Sequence, residues 1–437
     1  MLIEHVFNRN VPTARSDNEV LSVARRLVEC WMTGRHYRFS PRGWLMVGLL
    51  ALAVPVRTWG ADCGLELGAW GGTVIHVCHC GDTVRWNYTL SGTLTNWDGT
   101  APCSSSVGLK VASGVILTGD GTAVIRGQST PGSVGIQFDA SIGARVTSMT
   151  GYLKVTAFAV GVQLVNNAQN NTVERVESYD NTNGAANGAY GIDLRGPSPN
   201  TNTANNTIQN AFVHDNGDEG IHMGGGSRNN TVQTSAFQSN AHQEIYLTNT
   251  NSNQILNNTA SANTSTGLAS LAVKDSDFNT FTGNMLSNRV VTFSDDADHN
   301  SFGTAVSGNT ISGARLQFTQ DADDVQPQLG YRPAHDNTAT NVGIDNTTNA
   351  THAACVNFKR NSNATGGDTL PYNNSVSLAT LTCNSKSLIA LSAGSGVPFV
   401  VGQNCVGAST CNGHTCTEAG DATDQLGIIT VQGQACP

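Results

Sequence analysis

An apolar–variable–apolar triplet recurs eight times through the middle of this chain. It reads Ile136-Gln137-Phe138, Val162-Gln163-Leu164, Ile192-Asp193-Leu194 and Ile221-His222-Met223, then Ile245-Tyr246-Leu247, Leu271-Ala272-Val273, Val291-Thr292-Phe293 and Leu316-Gln317-Phe318. The intervals are 26, 30, 29, 24, 26, 20 and 25 residues. Gly135, Gly161, Gly191 and Gly220 stand just before the first four triplets. A second series runs Asn171, Asn206, Asn230, Asn253, Asn279 and Asn300, and a third Asn181, Asn216, Asn240, Asn263 and Asn288. Short period-2 alternation broken by Gly and Asn describes strands joined by turns. One such unit cannot bury its apolar face alone, but units stacked at about 4.8 Å bury a continuous column. Asn tolerates left-handed backbone and can bond to the Asn of the coil above or below.

The reading is therefore an all-β, single-stranded right-handed parallel β-helix, a solenoid of about eight or nine coils over residues 106–325. A leucine-rich repeat has a similar period but requires Leu at fixed positions, where this chain has Asn and Gly. Composition agrees. Of 437 residues 13% are charged, too few for a long helical bundle, whereas 47 are Gly and 44 are Asn.

The ends read differently. Gly43 to Val56 is an uncharged apolar run of 14 residues preceded by Arg35, Arg38 and Arg42 and followed by Gly60 and Ala61. That is the layout of a secretory signal within residues 1–60, and too short for a membrane span of ~20 residues. A start at Met32 would shorten it to an ordinary length. Of 11 Cys, Cys30 lies in this leader. The remaining ten form one group, Cys63, Cys78, Cys80 and Cys103, and another, Cys355, Cys383, Cys405, Cys411, Cys416 and Cys436. Even groups at both ends predict disulfide-tied caps, an N-terminal one over 61–105 and a C-terminal cap or small β domain over 326–437. Their spacing fits no common zinc pattern. The expected location is secreted, periplasmic or cell-surface. Without residues 1–60 the chain keeps 15 bases against 28 acids, a net −13, which argues against a nucleic-acid partner.

These residues resemble a known family. The Asn-Asn-Thr-Val and Gly-Ile-x-Leu units, with Cys80-Gly81-Asp82-Thr83-Val84, Cys103 and Val115-Ile116-Leu117-Thr118-Gly119-Asp120-Gly121, are similar to the pectate-lyase-like β-helix repeats, including the copper-protein-associated β-helix proteins. The resemblance covers about residues 80–325. It implies the fold, and a function among lyases, hydrolases, epimerases and non-catalytic surface proteins. Tyr190-Gly191-Ile192-Asp193 also resembles the start of the mannuronan C5-epimerase motif, with Leu194-Arg195 where that motif has Pro-His.

In a coil the middle residue of each triplet points outward, so Gln137, Gln163, Asp193, His222, Tyr246, Ala272, Thr292 and Gln317 form a column. Asp193, His222 and Tyr246 are consecutive in it, and Arg195 leaves the same face. The two longest intervals flank Asp193, which predicts built-out loops at 183–190 and 196–205. Removal of the C5 proton of a uronate needs its carboxylate neutralised, a base, and a second proton-handling group. Arg195 fits the first role, His222 the second and Tyr246 the third, with Asp193 orienting His222. Tyr190, His214 and Asp215 are candidate substrate contacts, and Asp218 and Glu219 share the turn before His222. The partner expected is a uronate-containing polysaccharide or surface glycan. The rival class is a non-catalytic adhesin or scaffold, on which Arg195, His222 and Tyr246 would splay apart. Finally, Asp275 and Asp277, then Asp295, Asp296 and Asp298, then Asp321, Asp323 and Asp324 should stack at one corner of three coils. Ca²⁺ would relieve their repulsion.

Overall fold

The computed structural model describes residues 61–67, 73–183, 188–195, 203–319, 334–348, 354–359, 371–384, 389–392, 404–417, 422–423 and 429–432. The leader, the centres of both predicted loops (184–187 and 196–202) and the acidic run Asp321 to Asp324 lie outside the described residues.

Among the described residues three sheets, parallel except at the terminal strands Thr73–His76 and His414–Thr415, run along one solenoid: sheet A of 15 strands, sheet B of 13 and sheet C of 12. One coil shows the path. Ile192–Arg195 lies in sheet A, Thr207–Gln209 in sheet B and Phe212–His214 in sheet C, before Ile221–Gly224 returns to sheet A. All eight triplets pair in unbroken register, so Gln137, Gln163, Asp193, His222, Tyr246, Ala272, Thr292 and Gln317 are vertical neighbours. Their apolar flanks fill the interior from Ile136 and Phe138 to Leu316 and Phe318, almost all without accessible surface.

The corners are held by amide stacks. Where sheet A turns into sheet B, nine Asn residues from Asn171 to Asn404 stack one per coil. From Asn206 onward each side-chain oxygen accepts both the backbone N–H and the Nδ2 of the Asn one coil earlier, at 2.9–3.2 Å. The left-handed backbone falls to the residue just before, as at Asn170, Asn205 and Asn229. The two properties of Asn are thus divided between adjacent positions. Between sheets C and A the stack runs Asn181, Asn216, Asn240 and then changes to Glu244. Glu244 points inward and is wholly buried, and burial pushes its carboxyl up to about 8.

The ends differ from the expectation in one respect. Asp62–Leu67 and Asp82–Val84 lead into sheet A, tied by the disulfides Cys63–Cys78 and Cys80–Cys103. Beyond residue 325, however, the chain adds further strands to all three sheets, among them Val356–Lys359, Thr338–Thr340 and Gly343–Asn346. The coil from Leu316 to Val356 is 40 residues long, which hides the period from sequence. Cys355–Cys383 and Cys411–Cys416 fasten these later coils.

Candidate active site

Strand Ile192–Arg195 buries Ile192 and Leu194 and directs Asp193 and Arg195 away from the core. Asp193 is nevertheless 0% exposed, so the column is not open at this point. Arg195 folds back over it, with Nε 2.8 and 2.9 Å from the two carboxylate oxygens. Gln163, one coil earlier, donates to Oδ2 at 3.2 Å, and His222, one coil later, places Nδ1 3.1 Å from Oδ1. Burial pushes the Asp193 carboxyl up. The His222 bond, the Arg195 charge and the Gln163 amide outweigh it and hold the group below the usual carboxylate range. An ionised carboxylate only accepts, so Nδ1 of His222 donates in this pair and Nε2 is the ring nitrogen that Asp193 does not engage.

Two aromatic rings fix the imidazole. Tyr190 stacks on it at 4.8 Å and 17°, and Tyr246, one coil further, lies at 5.5 Å and 36°. Arg195 Cζ stands 4.9 Å from the Tyr190 ring centre, a cation–π contact. Gly224 opposes Arg195 in the register, and a Cβ there would meet His222 Cε1 at 3.0 Å. The ring lies where a larger residue would stand. The Arg195 side chain remains 41% exposed. Arg195 thus lies against Asp193, and Tyr246 against His222.

Beside this column lies a second group. Gly191 N–H bonds to the Glu219 carbonyl, which sets Tyr190 level with Glu219 on adjacent coils. Burial, followed by the adjoining Asp218 carboxylate, pushes Glu219 up to about 9. Asp218 Oδ2 accepts the Gly188 N–H at 2.5 Å, and Oδ1 is 2.5 Å from His242 Nδ1. Burial also raises the Tyr190 phenol far above its ordinary value, which makes it a wall rather than a proton donor. Sequence reading passes over His242, and it places Gln163 in the column without a role. The only signal for His242 is the coil period counted back from Tyr246.

Not every candidate joins the site. His214 and Asp215 lie at the end of a sheet C strand, because Asn216 turns the corner between them and His222. His214 stacks on Tyr179 at 5.2 Å and bonds to Asp215 (2.7 Å) and Glu177 (3.3 Å). The acidic corner is described for two of its three coils. Asp277 and Asp298 do meet, the Asp298 N–H lying 3.3 Å from Asp277 Oδ1. Burial and Asp298 push Asp277 up to about 7. Asp275 precedes them in left-handed backbone. Asp295 pairs with Lys274 at 3.3 Å. On the next coil His335 comes within 3.2 Å of Asp296 and 3.8 Å of Asp298. Asp323 is among the residues outside the description.

A depression of about 530 Å³ is lined by Thr83, Arg85, Trp86, Lys110 and Asp139. Thr83, Lys110 and Gln137 are successive members of the outward column, so this hollow lies on the same sheet as Asp193, three coils nearer the N-terminal end.

Residues 153–311 match the family model described as a right handed beta helix region. A comparison with curated protein sequences finds no match. Among solved structures, the catalytic domain of a GH87 α-1,3-glucanase in complex with tetrasaccharides is 14% identical with a TM-score of 0.51. The alignment covers 80% of this chain and 63% of that one. The A-module of a mannuronan C-5 epimerase from Azotobacter vinelandii is 15% identical over 80% of this chain and 89% of that one, with a TM-score of 0.43. PfbA, a surface adhesin of Streptococcus pneumoniae, is 12% identical over 80% and 85%, with a TM-score of 0.41. No helix among the described residues is long and apolar enough to cross a membrane.

Proposed function

With the right-handed β-helix as premise, we propose that this chain binds an acidic polysaccharide along sheet A and removes the C5 proton of a uronate at His222. The observation that carries the reading is the Asp193–His222–Tyr246 column, with His222 held by a carboxylate on one coil and rings on both sides. The exposed part of the Arg195 side chain neutralises the uronate carboxylate, which makes the C5 hydrogen acidic. Nε2 of His222 takes that proton, while Asp193 stabilises the imidazolium formed. In elimination the C4–O bond then breaks, a C4–C5 double bond forms, and Tyr246 protonates the departing oxygen. In epimerisation Tyr246 instead gives a proton to the opposite face of C5, and exchange with water returns His222 and Tyr246 to their starting states. The hollow at Lys110 and Trp86 extends the binding track toward the N-terminal end by three coils, about 14 Å. The disulfides favour an oxidising, extracytoplasmic compartment, and the GH87 relative shows that a β-helix of this kind can hold an oligosaccharide.

The test is a screen of uronate polymers with the full chain, following the ultraviolet absorption of the unsaturated product or the exchange of C5 deuterium. His222→Ala should lower the rate by about 10²–10⁴-fold. Unchanged turnover in that variant would refute the role of His222.

One observation favours a second reading. Asp193 is wholly buried and satisfied by Arg195, Gln163 and His222, as in a structural polar network. On that reading the chain is a glycan-binding adhesin or scaffold, and the same screen gives binding without product.

A further inference from the structure

We infer that Asp218, Glu219 and His242 form a site for a divalent transition-metal ion, of the zinc type, beside the His222 column. The binding claim does not rest on the proposed reaction. The three donor atoms lie within 4.8 Å of one another on two adjacent coils. Asp218 and His242 are stacked by the backbone, His242 N–H donating to the Asp218 carbonyl at 3.2 Å. One Asp218 oxygen is anchored by Gly188 N–H, which leaves the other directed at His242.

Glu219 supplies the independent observation. It is 7% exposed, and its Oε2 is buried without any hydrogen-bond donor among the described residues. An oxygen placed out of water, next to a second buried carboxylate and facing no donor, is expensive to leave unsatisfied, and a cation is a group that would satisfy it. Two carboxylates and a divalent ion sum to zero charge.

The donor set selects the class of ion. Calcium takes six to eight oxygens, whereas this cluster offers one imidazole nitrogen and two carboxylates. One nitrogen and two oxygens with a position left for water match the open tetrahedral arrangement of zinc sites. Ligands about 2.1 Å from zinc stand roughly 3.4 Å apart, so the 2.5 Å His242–Asp218 pair opens as the ion enters, and Nδ1 gives up its proton.

Full-length chain dialysed against chelator and titrated with Zn²⁺ by calorimetry should bind one ion per chain at this site, with Ca²⁺ and Mg²⁺ far weaker. Glu219→Gln and His242→Ala should each weaken Zn²⁺ binding at least tenfold, and His222→Ala should leave it unchanged. That last variant separates this inference from the reaction, which it would slow by about 10²–10⁴-fold. Co²⁺ in place of Zn²⁺ should give the visible bands of a tetrahedral nitrogen–oxygen site in the wild-type chain, which settles the matter even if a variant does not fold. Absence of Zn²⁺ binding, or binding that both substitutions leave intact, overturns the site.

Discussion

At the scale of single residues, Asp193 shows how much of the site reduces to one buried charge. Three neighbours from three coils meet on its two oxygens, and Arg195 brings a permanent positive charge. Asp193→Asn would set an amide N–H₂ against donors that now meet a carboxylate, while the half-exposed guanidinium keeps its water, and should cost about 1–3 kcal/mol at neutral pH, read by denaturant unfolding. The pH dependence has a definite sign. The folded-state pKa lies below the ordinary 3.8, so the contribution is complete above about pH 4 and is lost as pH falls through the folded value. The stability gap between wild type and Asp193→Asn should therefore be widest near neutrality and close in acid. A gap independent of pH would mean that the charge is not what holds the network. The pairing of Asp193 with His222 was readable from the repeat alone, since the register makes them neighbours. That Arg195 would turn back onto Asp193 was not, because it depends on a side-chain conformation and not on spacing.

At the scale of the element, the Asn stack separates two demands that a sequence shows as one dipeptide. Asn229 has φ of 54° and Asn230 is wholly buried in the ladder. Asn230→Ala removes the acceptor used by the Asn206 backbone and amide, so two buried donors lose their partner, at about 1–3 kcal/mol each. Asn229→Gly keeps the left-handed turn and should change stability by less than about 1 kcal/mol. Thermal or denaturant unfolding of the two variants checks the pair, and equal losses would refute the division. The early rungs of this ladder were legible because their spacing stays between 21 and 35 residues. Asn337 and Asn374 were missed because the coils before them each span 37 residues, and inserted chain hides a period without altering the corner that it serves. The Glu219 pairing with Tyr190 was illegible for a related reason. The strict alternation breaks at the glycines of the Gly191 and Gly220 row, which turn inward and shift the preceding residue onto the outer face.

For the whole molecule, the solenoid makes each coil depend chiefly on its two neighbours, and the glycine row tests how far a disturbance travels. A Cβ on Gly191 would lie 2.2 Å from Val213 Cγ1 and 2.7 Å from the Gly220 carbonyl. A Cβ on Gly135 would meet Val155 Cγ1 at the same 2.2 Å and the Gly161 carbonyl at 2.6 Å. The steric insult is matched, but Gly135 lies two coils before Asp193, whereas Gly191 adjoins the strand that carries it. Gly135→Ala and Gly191→Ala should lose similar stability, about 1–3 kcal/mol as for other overpacked cores. Turnover should divide them. Gly191→Ala displaces Asp193 and Tyr190 together and loses the bulk of the activity, while Gly135→Ala retains it at temperatures where both remain folded. If the two lose activity in parallel, the coils are coupled over more than nearest neighbours, and the site belongs to the helix as a body and not to the three coils that supply its side chains.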